Sequence, residues 1–361
     1  MTIPVTLISG FLGAGKTTLL TRILREHHGQ RLAVIVNEFG AVGVDGDLLQ
    51  SAQIRSGSAE GAALVELANG CICCEIQDDL RSTLLALVDE PPASDSTTEG
   101  DPRRPRWLRM PFRSARREAA PLQRILVEAS GAASPGPAVQ TFLIDGVLQE
   151  RVHLDGVVTL VHAAMIEGQL ESTAEAGPQV AYADRIVVNH ADRVGEAALD
   201  GLMARLSRWN PLAGVTRAVH ADVPIDWLFD VGRSAGRAPA LPENSAALPA
   251  ESGQAQKTEH TAGLRSISLY HPGPVDADAL VIWLEFLAKR RSHELMRAKG
   301  IVGALSSAGG QPQRRVIQGV YRWLEVTEDS APPPEASQIV LIGRDLDAAE
   351  IRRGWEAIVR G

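Results

Sequence analysis

Nine residues near the start of the chain limit its fold more than any other feature. Gly10-Phe11-Leu12-Gly13-Ala14-Gly15-Lys16-Thr17-Thr18 fits the pattern G-x-x-x-x-G-K-[ST]. An apolar run, Ile3–Ile8, precedes it and predicts a strand. A helical pattern, Thr17–His27, follows, with Leu19, Leu20, Ile23 and Leu24 on one stripe. Strand, glycine loop and helix start in that order make a phosphate cradle. Glycines let backbone N–H groups turn inward where a side chain would obstruct. The helix N-terminus adds positive potential. In such a loop Lys16 reaches the β- and γ-phosphates, and Thr17 Oγ1 holds Mg²⁺. The expected fold class is therefore α/β: a P-loop NTPase with a mostly parallel sheet.

The pattern after the loop agrees. Strands are predicted at Leu32–Val36, Arg124–Val127, Val157–Val161 and Arg185–Val188, near-continuous Val/Ile/Leu runs that alternate with helical stretches. Such strands belong to a parallel sheet covered on both faces. Two segments interrupt the alternation. Residues 91–121 are rich in Pro, Ser, Thr and Arg and predict a flexible insertion. Residues 232–263 are rich in Ala, Pro, Ser and Gly and predict a linker. Beyond it, Ser266–Tyr270, Gly300–Leu305, Arg314–Val326 and Gln338–Ile342 read as strands. Leu280, Trp283, Leu284 and Leu287 mark one helix face, and Ile351, Trp355 and Ile358 another. Gly300, after Arg297-Ala298-Lys299, reads as a helix stop. The expected organisation is a P-loop domain over 1–231, the linker, and a smaller C-terminal α+β domain over 264–361, with helices on one face of an antiparallel sheet. At 361 residues the chain has room for two domains.

Net charge is −8, which argues against a nucleic-acid binder. No apolar run is long enough to span a membrane. Only four of the 36 basic residues are lysines: Lys16, Lys257, Lys289 and Lys299. All three cysteines sit together in Asn69-Gly70-Cys71-Ile72-Cys73-Cys74. A clustered odd set is no disulfide framework, and the cytoplasm is the expected compartment. Thiolates are soft ligands suited to Zn²⁺ and similar ions, and Glu38, after the second strand, is a candidate to join them. Reversible oxidation of Cys73 and Cys74 is the rival reading.

Two further segments fit a nucleotide switch. Arg124–Val127 runs into Glu128-Ala129-Ser130-Gly131. An acid at the end of an inner strand lies at the mouth of a parallel sheet, where ligands bind. Glu128 can order Mg²⁺ or its waters, and the Gly131 N–H can meet a γ-phosphate. Asn189-His190-Ala191-Asp192 follows the strand Arg185–Val188. A carboxylate there can accept from both N1–H and N2–H₂ of guanine, a donor pair that adenine lacks. Of the other histidines, His27 and His28 close a helix, and His153, His162, His220, His271 and His293 show no ligand spacing and read as structural or surface.

GFLGAGKTTLL, VNEFGAVGVDGDLL, NGCICC, ILVEASGAASPGP, ADRIVVNHAD, LMRAKGIVG and VIQGV occur in that order. The series resembles the CobW-type family of SIMIBI-class P-loop GTPases, and within it the YjiA-like branch. The resemblance covers nearly the whole chain except 91–121 and the linker. It implies slow GTP hydrolysis, GTP/GDP with Mg²⁺, and Zn²⁺ or alternatively Co²⁺ passed to a client metalloprotein, by a monomer or weak oligomer. Position by position, Gly10 to Thr18 become the phosphate site. Glu38 and Asp45 fall in the first switch, Glu128 and Gly131 in the second, and Asn189 to Asp192 in the guanine loop. Cys73 becomes the metal ligand beside Glu38, with Cys71 and Cys74 adjacent. The chain departs from the branch at Ala41, where a Glu is usual, and at His190, where a Lys is usual. A P-loop kinase or ATPase acting on a small molecule and a redox-sensing nucleotide-binding module are the alternative readings.

Overall fold

The computed structural model describes residues 2–26, 31–37, 62–67, 75–89, 121–231, 264–291, 294–306 and 309–359. Seven strands form one all-parallel sheet: β1 (Ile3–Gly10), β2 (Leu32–Asn37), β3 (Ala62–Leu67), β4 (Arg124–Glu128), β5 (Val152–His162), β6 (Arg185–Asn189) and β7 (Gly214–Arg217). Their order is β3-β2-β4-β1-β5-β6-β7. The central strand β1 lies between β4 and β5. The chain steps from β1 towards one edge and later returns past it towards the other. The ends of β1, β4 and β5 therefore frame the crevice where α/β sheets bind ligands.

The strands are continuous apolar runs because both faces are covered. Val5, Leu7, Ile125 and Val127 face one side, with Leu80 and Leu84 of α2 (Glu75–Val88) and Val139 and Phe142 of α3 (Gly136–Ile144). Ile8, Leu126, Val158 and Leu160 face the other, with Leu19, Leu20 and Ile23 of α1 (Lys16–Arg25). Each such side chain contributes about 1.5–3 kcal/mol on burial, so the stripe on α1 is enough to seat that helix against the sheet. The strands predicted for this sheet all form, with longer bounds. The edge strands β3 and β7 were not expected, since Ala62–Leu67 and Gly214–Arg217 are short and weakly patterned.

Three short helices follow β4 and β5: α4 (Gly146–Gln149) before β5, and α5 (Ile166–Ser172) and α6 (Ala176–Tyr182) after it; the longer α7 (Glu196–Trp209) follows β6 and α8 (Ile225–Leu228) follows β7. The C-terminal unit is a six-stranded sheet. It contains β8 (Leu264–His271), β9 (Val275–Asp276), β10 (Leu295–Leu305), β11 (Gln313–Val320), β12 (Trp323–Asp329) and β13 (Ser337–Arg344). Five run antiparallel in the order β12-β11-β10-β13-β8, and β9 adds a short parallel pairing to β10. Helices α9 (Ala277–Arg290) and α10 (Ala348–Val359) share an apolar core with one face, where Trp283 and Trp355 lie 6.1 Å apart. The other face packs on the first sheet unit: Leu264, Met296, Val320, Val340 and Ile342 join the cluster that holds Val139, Phe142 and Tyr182.

Two expectations are corrected here. Arg314–Val326 is not one strand but the hairpin β11–β12, because Tyr321 turns the chain with φ 54°. Gly300 does not stop a helix. It is paired inside β10, opposite Ile317 and Ile339, which puts Arg297 and Lys299 on the strand that faces the first unit. There both cations reach Asp184, just before β6: Arg297 Nη2 and Lys299 Nζ each lie 2.5 Å from its Oδ1. The other carboxylate oxygen accepts the Val157 N–H at 2.9 Å. Burial alone would raise the Asp184 carboxyl, but Arg297 and Lys299 overcome it and hold it well below the usual carboxylate range. Burial lowers the Lys299 ammonium, and Asp184 offsets that only in part.

Candidate functional site

The phosphate loop leaves β1 at Gly10 and enters α1 at Lys16. Two glycines fix its course. Gly10 has φ +132°, and a Cβ there would lie 2.2 Å from the Leu160 carbonyl oxygen; Gly15 has φ +104°, and its Cβ would lie 2.4 Å from Asn189 Nδ2. A side chain at Gly10 would collide with the backbone of β5, and one at Gly15 would displace the Asn189 amide. Gly15 caps α1 with no side-chain hydrogen bond, and the first turn carries no acid. The first amide N–H groups of the helix are thus left for an anion. Lys16 is buried, with its Nζ 3.4 Å from the Phe11 carbonyl oxygen. Thr17 is half-buried, Thr18 and Gly13 are exposed, and Leu12 stands exposed at the loop's tip. A glycine cradle ending in lysine and threonine is a donor set that fits phosphate oxygens and a hard cation such as Mg²⁺.

Glu128 ends β4, buried, in register with Ile8 on one side and Val36 on the other. The Ala129 N–H then donates to the Ile8 carbonyl at 2.8 Å. This carries the following turn towards the phosphate loop. A Cβ at Gly131 would lie 2.8 Å from the Leu12 backbone nitrogen. The loop after β4 therefore rests on the phosphate loop itself. Sequence reasoning missed what holds it from behind: Gln179 Nε2 donates to the carbonyls of Gly131, at 3.2 Å, and Ala133, at 3.1 Å.

The third segment follows β6. Asn189 is buried, and its side chain ties two loops together. Nδ2 donates to the Ala14 carbonyl at 2.9 Å, and Oδ1 accepts the Ala221 N–H at 2.9 Å. Asn189 thus links the phosphate loop to the loop that would hold a base, and its amide is spent on the protein. Asp192 is exposed, 3.4 Å from Arg193 Nε. It lines a cleft of about 370 Å³ with Leu199, Arg217, Val219 and Asp222. His190 adopts φ 57° and stacks on His162, with ring centroids 4.3 Å apart and 18° between planes. His162, expected to be structural or surface, abuts this loop through that stack. Burial and then the neighbouring His190 push its imidazole below the ordinary value.

The other wall of the cleft is the stretch 218–222, which carried no readable signal. His220 and Ala221 take left-handed φ of 52° and 56°, which points the Ala221 N–H at Asn189. Arg22 of α1 fastens this stretch. It donates to the carbonyls of Ala221 at 2.9 Å and Val223 at 2.8 Å and pairs with Asp222 at 2.8 Å.

The expected metal ligands, Glu38, Cys71, Cys73 and Cys74, lie outside the described residues, as do Ala41, Asp45 and His293. The described flanks still carry information. The chain leaves β2 just before Glu38 and leaves β3 just before the cysteine segment, and those strand ends pair, Asn37 with Leu67. Among the described residues no group of three or more His, Cys, Asp or Glu could hold a metal ion. Among them, too, no helix is long and apolar enough to cross a membrane.

Residues 4–217 match the family described as CobW/HypB/UreG, nucleotide-binding domain, and residues 264–359 match the cobalamin synthesis protein cobW C-terminal domain. The chain is 34% identical over 364 residues to the zinc chaperone YjiA of Escherichia coli, spanning 99% of this chain and 98% of that protein. It is 29% identical over 382 residues to the zinc chaperone CobW of Pseudomonas aeruginosa, spanning 97% and 89%. Among solved structures, the Zn(II)-bound YjiA GTPase from E. coli superposes with a TM-score of 0.67 at 28% identity, covering 99% of both chains.

Proposed function

The chain belongs to the CobW/HypB/UreG family, and from that premise we propose that it is a GTP-hydrolysing metal chaperone that binds Zn²⁺, or alternatively Co²⁺, and passes it to a client metalloprotein in the cytoplasm. One observation carries the nucleotide half of this reading: the Asn189 amide joins Ala14 of the phosphate loop to Ala221 of the base cleft. A single buried side chain thereby fixes the spacing between a phosphate cradle and a carboxylate, Asp192, of the kind that reads guanine.

In this reading Gly10 to Thr18 hold the phosphates. Lys16 leaves the Phe11 carbonyl for the β- and γ-oxygens. Thr17 and Glu128 would hold Mg²⁺, directly or through its waters, and the ion would supply charge neutralisation at the phosphates. The Gly131 N–H meets the γ-phosphate. His190 lies along the base, and Asp192 accepts its two donors. Zinc is cargo, held by Cys73 and Glu38 with Cys71 and Cys74 adjacent. The strand β2 that leads to Glu38 pairs with β3, which leads to the cysteines, and with β4, which ends in Glu128, so the thiolate segment, Glu38 and the γ-phosphate end of the site leave neighbouring strand ends. Loss of the γ-phosphate releases the loops and changes the metal site. Hydrolysis is slow until a partner contributes, since an added arginine alone is worth about 10³–10⁵ in rate. The domains of this reading are 1–231 and 264–361 with the linker between.

The test is Co²⁺ titration with and without GTP. A thiolate-to-metal charge-transfer band is expected, shifted by nucleotide and lost in Cys73→Ser more than in Cys71→Ser. A band indifferent to both nucleotide and Cys73 would refute the proposal.

A further inference from the structure

Resting on the GTPase reading, we propose that Gln179 is a positioning residue for the γ-phosphate end of the site. It sits in α6, a seven-residue helix in which every residue is buried. Its side chain is only 2% exposed. A primary amide has two N–H donors, and the Gln179 amide donates to two carbonyls of one turn, those of Gly131 and Ala133. Gly131 meets the phosphate loop on its opposite side, against Leu12. The turn is therefore gripped from the core by an amide and limited in front by the backbone of the loop that cradles phosphate.

The grip is itself braced. Thr159 Oγ1 of β5, fully buried, donates to the Gln179 carbonyl at 2.9 Å. At the far end of α6, Tyr182 packs on Tyr321 of the β11–β12 turn, with centroids 5.8 Å apart. Both hydroxyls close on Gly136, where a Cβ would lie 2.7 Å from the Tyr321 oxygen and 2.9 Å from that of Tyr182. Two residues beyond Tyr182, Asp184 is held by Arg297 and Lys299. The helix behind the second switch is thus anchored by the C-terminal unit.

A glutamine that merely filled space would support GDP and GTP complexes alike. A glutamine that sets Gly131 matters only when a γ-phosphate is present. Gln179→Met removes both donors at nearly constant volume and leaves the buried Gly131 carbonyl and the part-buried Ala133 carbonyl without them. In the full-length protein with Mg²⁺, the dissociation constant for GDP should stay within about twofold of wild type. That for the non-hydrolysable analogue GMPPNP should rise by about tenfold, and kcat for GTP should fall by a similar factor. Thr159→Val, which unseats only the Gln179 backbone, should shift the same ratio in the same direction by less. Equal weakening of both nucleotides, or no change in either, in whichever variant folds, overturns the proposal. A wild-type protein that binds neither nucleotide would instead overturn the GTPase reading beneath it.

Discussion

Replacing Asp184 with alanine should loosen the C-terminal unit from the first unit at a cost that can be worked from the contacts. The carboxylate is 4% exposed, with one oxygen shared by two cations and the other on a backbone N–H. Arg297 is equally buried, and its Nη1 has no hydrogen-bond partner among the described residues. Asp184→Ala would leave a guanidinium and an ammonium facing each other without an anion. Breaking a buried pair in this way costs about 3–5 kcal/mol. Asp184→Asn keeps an acceptor for Val157 and should cost less, about 1–3 kcal/mol. Glu196→Ala, which breaks the exposed pair to Arg217, serves as the control at about 0–1 kcal/mol. Urea unfolding followed by tryptophan fluorescence reads all three, since Trp283 and Trp355 report on the C-terminal core and Trp209 and Trp227 on the first unit. The sign with pH also follows. The folded carboxyl is depressed, so its contribution is present in full above its unfolded value, about pH 4, and is lost only as pH falls below that. Asp184→Ala should therefore differ from wild type by a constant amount from pH 5 to 8. A loss under about 1 kcal/mol, no larger than the exposed control, would refute this account of the interface.

Three shorter predictions concern the nucleotide site. Lys16→Ala should abolish tight triphosphate binding and leave the fold intact, measured by fluorescence titration and thermal melting; unchanged GTP affinity would remove the phosphate-loop assignment. Gly15→Ala should weaken nucleotide binding even though alanine favours helices, because its Cβ must displace the Asn189 amide and φ +104° is strained; calorimetry with GDP checks it. In competition titrations GTP should outcompete ATP in the wild type, by about tenfold or more from the Asp192 carboxylate left facing an acceptor. The preference should vanish in Asp192→Ala and absolute affinity should rise in His190→Lys, whereas equal competition by ATP in the wild type would favour the ATPase reading.

Much of the first unit was legible because period and spacing are local properties. The phosphate loop, the strand before it and the apolar stripe of α1 lie within one short stretch, and each appears where the residues put it. Glu128 and Asp192 stood out as candidates for a related reason: each lies at or just past the end of an apolar strand, where a parallel sheet opens to ligands. Three kinds of residue escaped. Gln179 looked like any polar residue in a short helix, since its partners Gly131 and Ala133 are distant in sequence. Arg22 and the 218–222 stretch work through backbone carbonyls and left-handed turns, which no residue type announces. Tyr321 defeated the strand reading over Arg314–Val326 because a tyrosine at positive φ is rare, and Val320 before it and Trp323 and Leu324 beyond Arg322 keep the run strand-like. Lys299 stood out by scarcity alone, but its partner Asp184 could be found only from the fold.

The Asn189 amide also sets an order of events during synthesis. Asn189 and Ala14, the residues it joins, are 175 positions apart. At about 5–20 residues per second, the phosphate loop waits roughly 9–35 s outside the ribosome before its partner is made. The Arg22 clamp closes later still, since Val223 lies 201 positions downstream of it. A nascent chain therefore carries half a pocket for most of its synthesis. Cellular guanine nucleotide can assist the folding only after that point, by mass action on the finished site. Chains truncated before residue 223 should gain nothing from it, however much nucleotide surrounds them.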